Sequence, residues 1–272
     1  MVRKDESLGS QGRVTQPLEI TLLGTGTSQG IPVIGCSCNT CMSQDPRDKR
    51  LRTAAFVQSG DLGLAIDLGP DFRQQMLNNK ISNVHAVLLT HEHNDHISGL
   101  DDIRPINYKY DREIPVYTSS RSLLEIRRRF FYAFDPDYYY PGKPRVSGVA
   151  ISDLPFTIGH TMITPIPVDH GDMAVYGFRI GNLAYITDAK TIPASSMELL
   201  KGVEVLILNA LRFKSHPTHL NIEEAIAVVD RIEPRLTYFT HISHDLGLHE
   251  DVNTILPAHI RLGYDGLKVR VE

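Results

Sequence analysis

A dense run of histidines and acids that directly follows an apolar segment is the strongest constraint in this sequence. The apolar segment ends at Leu89, and the residues THEHNDH follow it at once. Residues two apart at the end of a strand point to the same face, so His91 and His93 are predicted to bind one metal ion together. The chain then reverses, and Asp95 and His96 are predicted to bind a second ion a few ångströms away. The sequence therefore predicts a two-metal site at the end of a buried strand.

A second cluster of metal-binding residues is formed by cysteines. All 3 cysteines of the chain lie between Cys36 and Cys41, as CSCNTC. This odd number cannot pair off as an extracellular disulfide framework, and the close spacing favours a structural zinc ion instead. A structural zinc ion needs a fourth ligand, for which His244 in the sequence HISH is the candidate. We therefore predict a Cys₃His site.

Composition limits the partners of the chain. Its 272 residues carry 28 Lys and Arg against 32 Asp and Glu, a formal net charge of −4, which argues against a large nucleic-acid interface. No apolar run is long enough to span a membrane. Residues 1–17 are polar and lack the apolar core of a signal peptide, so we expect a disordered tail, one domain over residues 18–272 and a cytoplasmic protein. The oligomeric state stays open, with a homodimer as one option.

Strand and helix patterns alternate along the rest of the chain. The glycine loop GTGTSQG is followed by Ile31-Pro32 where a dinucleotide-binding fold would start a helix, so we interpret it as a tight turn. The pattern favours an α/β fold with a two-layer sheet core and helices outside. Strands are predicted at residues 18–23, 54–58, 62–67, 84–90, 115–118, 162–168, 175–180, 183–187, 203–209, 236–240 and 267–271, and helices at 71–78, 120–132, 194–201, 222–232 and 251–260.

The histidine run resembles the H-x-H-x-D-H signature of the metallo-β-lactamase superfamily of hydrolases. Its other motifs follow in the expected order, at Asp67 in IDLG, His170 in VDHG, Asp188 in ITD and His241 in FTH. The resemblance implies a four-layer αββα sandwich with two mixed sheets packed face to face. It also implies Asp188 as the carboxylate that bridges two cations, either Zn or Mn, and Asp67 as a residue that orients the ligands. The remaining implied ligands are His91, His93 and His170 for the first ion and Asp95, His96 and His241 for the second.

The glycine loop, the cysteines and HISH together are similar to the PhnP branch of that superfamily. This branch consists of phosphodiesterases tied to phosphonate breakdown by the carbon-phosphorus lyase pathway. The resemblance implies a structural Zn ion, whose ligands would be Cys36, Cys38, Cys41 and His244. PqqB-like proteins share a related cysteine motif.

We therefore expect a phosphodiesterase that hydrolyses a small phosphodiester, such as a cyclic ribose or nucleotide phosphate, through a metal-bridging hydroxide. His219, which precedes a predicted helix as the PhnP branch implies, is the candidate proton donor, and Asp95 could share in proton transfer. In the alternative interpretation, Asn221 simply caps the helix and His219 is a surface residue. His216 is a poorer candidate for the proton donor. Arg104 is a candidate substrate-binding residue, although a salt bridge to Asp101 or Asp102 explains it equally well.

Two alternatives use the same sequence features. One is a tRNA 3′-processing endonuclease of the RNase Z type, which the net charge of −4 disfavours. The other is a PqqB-like accessory metal-binding protein, which would carry the structural zinc ion without a complete pair of cations at the histidines.

Overall fold

Two sheets of 7 strands each form the centre of the molecule. The computed structural model describes residues 17–271, so all but the last residue of the predicted tail over residues 1–17 lies outside the described residues. The strands of the first sheet are β1 (Leu18–Gly24), β2 (Ala54–Ser59), β3 (Leu62–Ile66), β4 (Ala86–Leu88), β5 (Ile114–Ser119), β6 (Val146–Ile151) and β14 (Lys268–Val271). Those of the second are β7 (Phe156–Ile158), β8 (Thr161–His170), β9 (Met173–Ile180), β10 (Leu183–Ile186), β11 (Val205–Asn209), β12 (Leu236–Thr240) and β13 (Ile260–Leu262).

The α-helices flank the sheets. They are α1 (Asn39–Met42), α2 (Phe72–Asn78), α3 (Asn94–Ile97), α4 (Arg104–Tyr110), α5 (Ser120–Arg129), α6 (Phe131–Phe134), α7 (Ala194–Leu199), α8 (Ile222–Ile232) and α9 (His249–Ile255). Within residues 17–271, no helix combines the length and apolar character needed to cross a membrane.

The two sheets have matching orders. The first runs β14-β1-β2-β3-β4-β5-β6 and the second β13-β12-β11-β10-β9-β8-β7. The strands β3 to β6 pair in parallel, as do β10 to β13, while the remaining pairs are antiparallel. Parallel strands need both faces covered, which predicts helices on the outer face of each sheet.

Alternation along the central strands builds the layers. On β11, Val205 and Ile207 pack into the core between the sheets, whereas Leu206 and Leu208 pack against the outer helices. Helix α8 covers that outer face with apolar residues three or four apart, among them Val229. The same construction on the first sheet, with α2 and α5 outside, gives the expected four-layer αββα sandwich and confirms the predicted fold class.

Several predicted elements need correction. The segment predicted as a strand over residues 84–90 is paired only at Ala86–Leu88, so His91 lies beyond the strand rather than at its end. The helix predicted over residues 120–132 ends at Arg129, because Phe130 leaves the helical conformation at φ −113° and ψ 39°. The helix predicted over residues 251–260 ends at Ile255, since Leu256 is extended before Pro257, as a residue preceding proline prefers.

Three strands and several helices fall outside the predictions. The strands β6, β7 and β13 lie at or next to the sheet edges, and β7 and β13 have three residues each. The helices α1, α3, α4 and α6 have four to seven residues. Those of three or four residues carry too few periods of hydrophobic alternation for a pattern to identify them.

Candidate active site

The carboxyl ends of parallel strands from both sheets meet at one edge of the sandwich. Asp67 follows β3, Asp188 follows β10 by two residues, and His241 follows β12 directly. All three have positive φ, at 65°, 58° and 56°. A positive φ is costly for residues other than glycine, and such strain concentrates at functional sites. Each strand therefore ends in a sharp change of direction that turns a polar side chain into the space between the sheets.

The first predicted group of ligands is assembled from two distant segments. The Nε2 atom of His91 lies 2.9 Å from Nδ1 of His93. His170, the last residue of β8, brings its ligand nitrogen within 4.8 Å of both. The contact between His91 and His93 does not come from strand pleating, because β4 has already ended; it comes from the loop that enters α3, where His93 is the N-cap.

The second predicted group lies on the other side of Asp188. The Nε2 atom of His96 is 3.3 Å from a carboxylate oxygen of Asp95 and 3.4 Å from Oδ2 of Asp188. Nδ1 of His241 lies 3.3 Å from the same Oδ2 atom. Burial lowers the pKa of His241 to about 4, which favours the neutral ring that metal binding requires.

Asp188 connects the two groups through its two oxygens. Oδ2 faces His96 and His241, whereas Oδ1 lies 4.0 Å from Nε2 of His170 and 3.1 Å from Nε2 of His219. Burial alone would raise the pKa of this carboxyl group, but the surrounding histidines, chiefly His241 and His96, hold it well below its usual range. The carboxylate is thus ionised and central, as a bridging ligand must be.

Two further contacts orient the histidines. Asp67 accepts a hydrogen bond of 2.7 Å from Nδ1 of His96 and one of 2.8 Å from the Thr90 amide. The carbonyl of Thr218 accepts a hydrogen bond of 2.8 Å from Nδ1 of His170. In both cases Nδ1 is occupied, so Nε2 is left free to bind a cation, which is the usual arrangement around metal sites.

The cluster fits divalent cations on its own geometry. Nε2 of His96 is buried without a hydrogen-bond partner, although two carboxylates lie within 3.4 Å. Ligand atoms about 2.0–2.1 Å from a tetrahedral zinc ion are separated by about 3.4 Å. The separations of 3.3 Å and 3.4 Å around His96 and Asp188 match this spacing. Imidazole with carboxylate suits Zn or Mn, so the donor set does not identify the metal.

The cysteine cluster has the geometry of a separate tetrahedral site. Nδ1 of His244 lies 3.4 Å from the sulfurs of Cys36 and Cys38 and 3.6 Å from that of Cys41. Tetrahedral Zn–S and Zn–N bonds place sulfur and nitrogen about 3.6 Å apart. Hydrogen bonding from the Cys41 amide and from His244 lowers the pKa of Cys38 to about 6, whereas burial raises that of Cys41 to about 11. The four side chains fit a structural zinc ion.

The remaining predicted residues divide into two kinds. His219 reaches the cluster through Asp188, and Asn221 forms a full capping box with Glu224 at the start of α8. Asn221 therefore caps the helix as predicted, but His219 is not left on the surface. Arg104 has partners outside the cluster, among them the predicted ion pair with Asp101, at 4.0 Å. Its guanidinium donates hydrogen bonds to the carbonyls of Asp101 and Gly142, at 3.0 Å and 3.3 Å.

Sequence reasoning missed the residues that shape the loop around Asp95. A side chain on Gly69 would place its Cβ 2.2 Å from the Asp95 carbonyl oxygen, and one on Gly99 would lie 2.2 Å from the Gly69 carbonyl oxygen. Only glycine allows this close packing of backbones. Glu92 is buried and accepts a hydrogen bond of 2.6 Å from Ser122, on α5. The glycines themselves are visible in the sequence, in IDLGP and HISGL, and could have indicated this close packing.

Arg129 joins the same loop to α5. Its guanidinium donates a hydrogen bond of 2.7 Å to the carbonyl of Glu92 and one of 3.0 Å to the side chain of Asn94. The segment that carries His91, His93 and Asp95 is therefore held both by the close backbone packing at the glycines and by hydrogen bonds from α5. Nothing in the spacing of the sequence pointed to Arg129, because it lies more than thirty residues beyond the loop.

Comparison with known proteins places the chain in the superfamily that its sequence motifs resemble. Residues 64–242 match the family described as the Beta-lactamase superfamily domain. The crystal structure of a diphosphatase from the PhnP family has a TM-score of 0.89 and 39% sequence identity, and the alignment covers 95% of this chain and 98% of that one. Zinc-bound PqqB from Methylobacterium extorquens has a TM-score of 0.75 at 19% identity, over 92% of this chain and 99% of that one, and shares the fold.

A curated relative is much longer. An octanoyltransferase of Porphyromonas gingivalis is 42% identical over 255 residues, which is 92% of this chain but 51% of the relative. The chain thus spans about half the length of that protein. From the match to the family and from the close and complete match to the PhnP-family structure, the chain belongs to the beta-lactamase superfamily domain family, as a PhnP-like hydrolase with the metallo-β-lactamase fold.

Proposed function

We propose that this chain is a phosphodiesterase that uses two divalent cations to hydrolyse a small phosphodiester, such as a cyclic ribose or nucleotide phosphate. The observation that carries the proposal is the position of Asp188, whose two oxygens face different groups of histidines. A carboxylate in this position suits two cations that share one ligand. Similarity to a PhnP-family diphosphatase supports phosphate chemistry at this site.

The residues that would hold each cation follow from the two groups around Asp188. When bound, such a pair of cations supplies positive charge to a phosphoryl oxygen and lowers the pKa of a water molecule toward neutrality. The protein supplies the positions of the ligands, through Asp67 on His96 and Thr218 on His170. The proposed ligands are His91, His93, His170 and Asp188 for the first cation, and Asp95, His96, His241 and Asp188 for the second.

His219 is the proposed proton donor to the leaving group. Its Nε2 atom lies 3.1 Å from Asp188, and His219 is outside the two proposed sets of ligands. In this step the Nε2–H bond of the protonated ring breaks and an O–H bond forms on the leaving oxygen. The ring is left neutral and regains its proton from water. Asp95 is a second candidate for proton transfer, because its carboxylate lies beside His96 in the same cluster.

A second candidate activity is the hydrolysis of a diphosphate. The similarity to a PhnP-family diphosphatase favours it, and the chemistry differs only in the leaving group. Cleavage of a phosphoanhydride releases a phosphate, which is a better leaving group than a sugar hydroxyl and depends less on a proton donor. A variant that lacks His219 would therefore lose more activity on a cyclic phosphodiester than on a diphosphate.

The test is a panel of purified protein with Zn²⁺ and with Mn²⁺. The substrates are bis(p-nitrophenyl) phosphate, 2′,3′-cyclic nucleotides, cyclic ribose phosphates and nucleoside diphosphates, each with and without a chelator. We expect turnover that the chelator abolishes, with the highest kcat/KM on a small phosphodiester. Absence of metal-dependent turnover on every substrate would contradict the proposal.

The same preparation separates the two alternatives. Metal analysis that finds cation only at the cysteines would favour a PqqB-like accessory protein. Tight binding of precursor tRNA in a gel-shift assay at low salt would favour an RNase Z activity, which the net charge of −4 disfavours.

A further inference from the structure

His93 differs from the other histidines proposed for the first cation in how its ring is held. Nδ1 of His91 lies 2.9 Å from the Thr90 hydroxyl, and Nδ1 of His170 donates to the Thr218 carbonyl. The ring of His93 is exposed, and among residues 17–271 its one contact at hydrogen-bond distance is with Nε2 of His91, itself a proposed ligand. The position of the His93 ring therefore depends on the backbone that carries it.

A single nitrogen of Arg129 contacts the chain on both sides of His93. This Nη1 atom donates a hydrogen bond of 2.7 Å to the carbonyl of Glu92 and one of 3.0 Å to the side-chain oxygen of Asn94. The Glu92 carbonyl belongs to the planar peptide group that joins Glu92 to His93, so the first bond holds the plane of that group. The second bond holds the first residue of α3. Together they restrict the backbone before and after His93.

Helix α5, which carries Arg129, is itself attached to the loop near its N-terminus. The buried Glu92 carboxylate accepts a hydrogen bond of 2.6 Å from the Ser122 hydroxyl and lies 3.0 Å from Nε of Arg121. Arg121 and Ser122 are in the first turn of α5, whereas Arg129 is its last residue. Side chains on a helix lean toward its N-terminus, which lets the Arg129 guanidinium reach back to the same loop. The loop and the helix are thus joined at both ends of α5.

We propose that Arg129 is a positioning residue, which holds His93 in place for the first cation by bonding to the residues before and after it. Its guanidinium does through the backbone what Asp67 does through the ring of His96. This inference rests on the proposed function, because His93 is one of the ligands proposed there. It adds a residue that contacts neither of the two cations.

The effect should be confined to the first cation, of which His93 is a proposed ligand. Asp95 and His96 serve the second cation and are held separately. The Leu68 amide donates a hydrogen bond of 2.7 Å to the His96 carbonyl, and a glycine packs against the backbone at Asp95. Loss of a group that orients a metal ligand lowers metal affinity about 10- to 100-fold. We expect removal of the Arg129 contacts to weaken the first cation by this factor and to change the second by less than about threefold.

Three substitutions on α5 separate the hydrogen bonds from charge and packing. Arg129→Met keeps an apolar stem and removes the donors. In Arg129→Lys one ammonium group can replace Nη1, because a single nitrogen makes both bonds, so affinity for the first cation should stay within about threefold of the wild type. The control is Arg128→Met, which removes the same charge from the same helix. Arg128 is exposed and has no hydrogen bond or ion pair within the described part of the chain.

Anomalous scattering measures the two cations separately. Crystals of each full-length variant are equilibrated with Zn²⁺ at a series of concentrations set by a chelator, and the occupancy of each peak is refined. In Arg129→Met, half-occupancy on the His93 side of Asp188 should need about 10- to 100-fold more Zn²⁺, with the other peak unchanged. Equal losses at both peaks, wild-type occupancy in Arg129→Met, a Lys variant no better than the Met variant, or an equal effect of Arg128→Met would overturn the proposal.

A His93→Ala background tests whether Arg129 acts through His93. Adding Arg129→Met to His93→Ala should weaken the first cation by less than about twofold more, because the group that Arg129 positions is already gone. A further loss as large as in the wild-type background would overturn the proposal. A wild type that binds both cations but hydrolyses no phosphodiester would contradict the proposed function alone, and the occupancies would still decide the role of Arg129.

Discussion

The two candidate metal sites differ in how the chain builds them. The cysteine site takes three ligands from one short segment, and only His244 comes from elsewhere. The histidine site takes His170, Asp188 and His241 from strand ends of the second sheet, and the rest of its ligands from α3 and the loop that leads from the first sheet into it. A local set of soft ligands closes around one ion, which is typical of a structural site, whereas ligands gathered from distant strands leave room for substrate. The difference teaches that one site holds a loop in place and that the other depends on the whole fold.

The largest expected effect comes from removing the shared ligand of the histidine site. Asp188→Ala should lower kcat/KM on a small phosphodiester by at least about a thousandfold. Loss of a residue that only hydrogen-bonds a metal ligand already lowers metal affinity or activity about 10- to 100-fold, and Asp188 is proposed to bind both cations directly. Kinetics and metal analysis check this outcome. The cysteine site should keep its zinc ion in this variant. Loss of metal from both sites together would break the distinction between them.

The reciprocal variant is Cys38→Ser. Serine can still cap α1, where the Cys38 side chain accepts from the Cys41 amide, so the substitution isolates the loss of a thiolate ligand. We expect the free energy of unfolding to fall by about 2–5 kcal/mol, measured by urea denaturation with zinc present. The neighbouring exposed Ser37, as Ser37→Ala, is the control. A variant as stable as the wild type would mean that the cysteines do not hold a structural ion.

Asp67→Asn tests the orientation of ligands within the histidine site. Asparagine tolerates the positive φ of 65° at this position, so the backbone should be retained. The hydrogen bond from His96 to a charged acceptor is lost, and we expect metal affinity at this site to fall about 10- to 100-fold. Calorimetric titration with Zn²⁺ measures it. An affinity within twofold of the wild type would show that Asp67 does not orient His96.

The smallest effect concerns the buried charges beside the cysteine segment. Arg50 lies 3.1 Å from Nδ1 of His249, and Asp48 accepts a hydrogen bond of 2.7 Å from the His249 amide. Burial, together with Arg50 and Arg47, lowers the pKa of His249 to about 4. A lowered pKa means that the unfolded chain binds the proton more readily. The contribution of His249 is therefore present above about pH 6.5 and is lost as the pH falls toward 4.

His249→Asn isolates this contribution, since asparagine cannot titrate there. Between pH 7 and 4.5, the wild type should lose up to about 2 kcal/mol more stability than the variant. Burial raises the pKa of the nearby Asp265 to about 6, which acts in the opposite direction, but this carboxyl group is present in both proteins and cancels in the comparison. Parallel stability curves for the two proteins would contradict the assignment.

The sequence was sufficient to predict the site residues that lie at the ends of long strands with a clear apolar pattern. Asp188 and His241 follow the parallel strands β10 and β12, so their placement at one edge of the sandwich follows from strand parallelism. His170 reaches the same edge because it ends β8, which two antiparallel pairings turn into the direction of β10. The reason given for His91 and His93 was wrong in detail, because β4 ends before them and the loop into α3 brings them together. Local pattern thus located the residues but not the turn that joins them.

Contacts between segments far apart in sequence could not be predicted. Arg129 reaches the carbonyl of Glu92, and the carbonyl of Thr218 accepts from His170, through folding of the whole chain. His216 belongs to no motif that marks it as functional, yet it lies against His219. Arg104 carries a suggestive charge, and its partners are Asp101, as the salt-bridge alternative predicted, and the carbonyl of Gly142. These contacts depend on tertiary geometry, which the spacing of residues along a single sequence does not reveal.

The most direct test of the central claim is to locate the cations in crystals of the full chain by anomalous scattering, with data collected at the Zn and Mn absorption edges. The account predicts two peaks at the histidine site, one on each side of Asp188, and a separate zinc peak among Cys36, Cys38, Cys41 and His244. A zinc peak at the cysteines without a pair of peaks flanking Asp188, in crystals grown with excess Zn²⁺ or Mn²⁺, would contradict it.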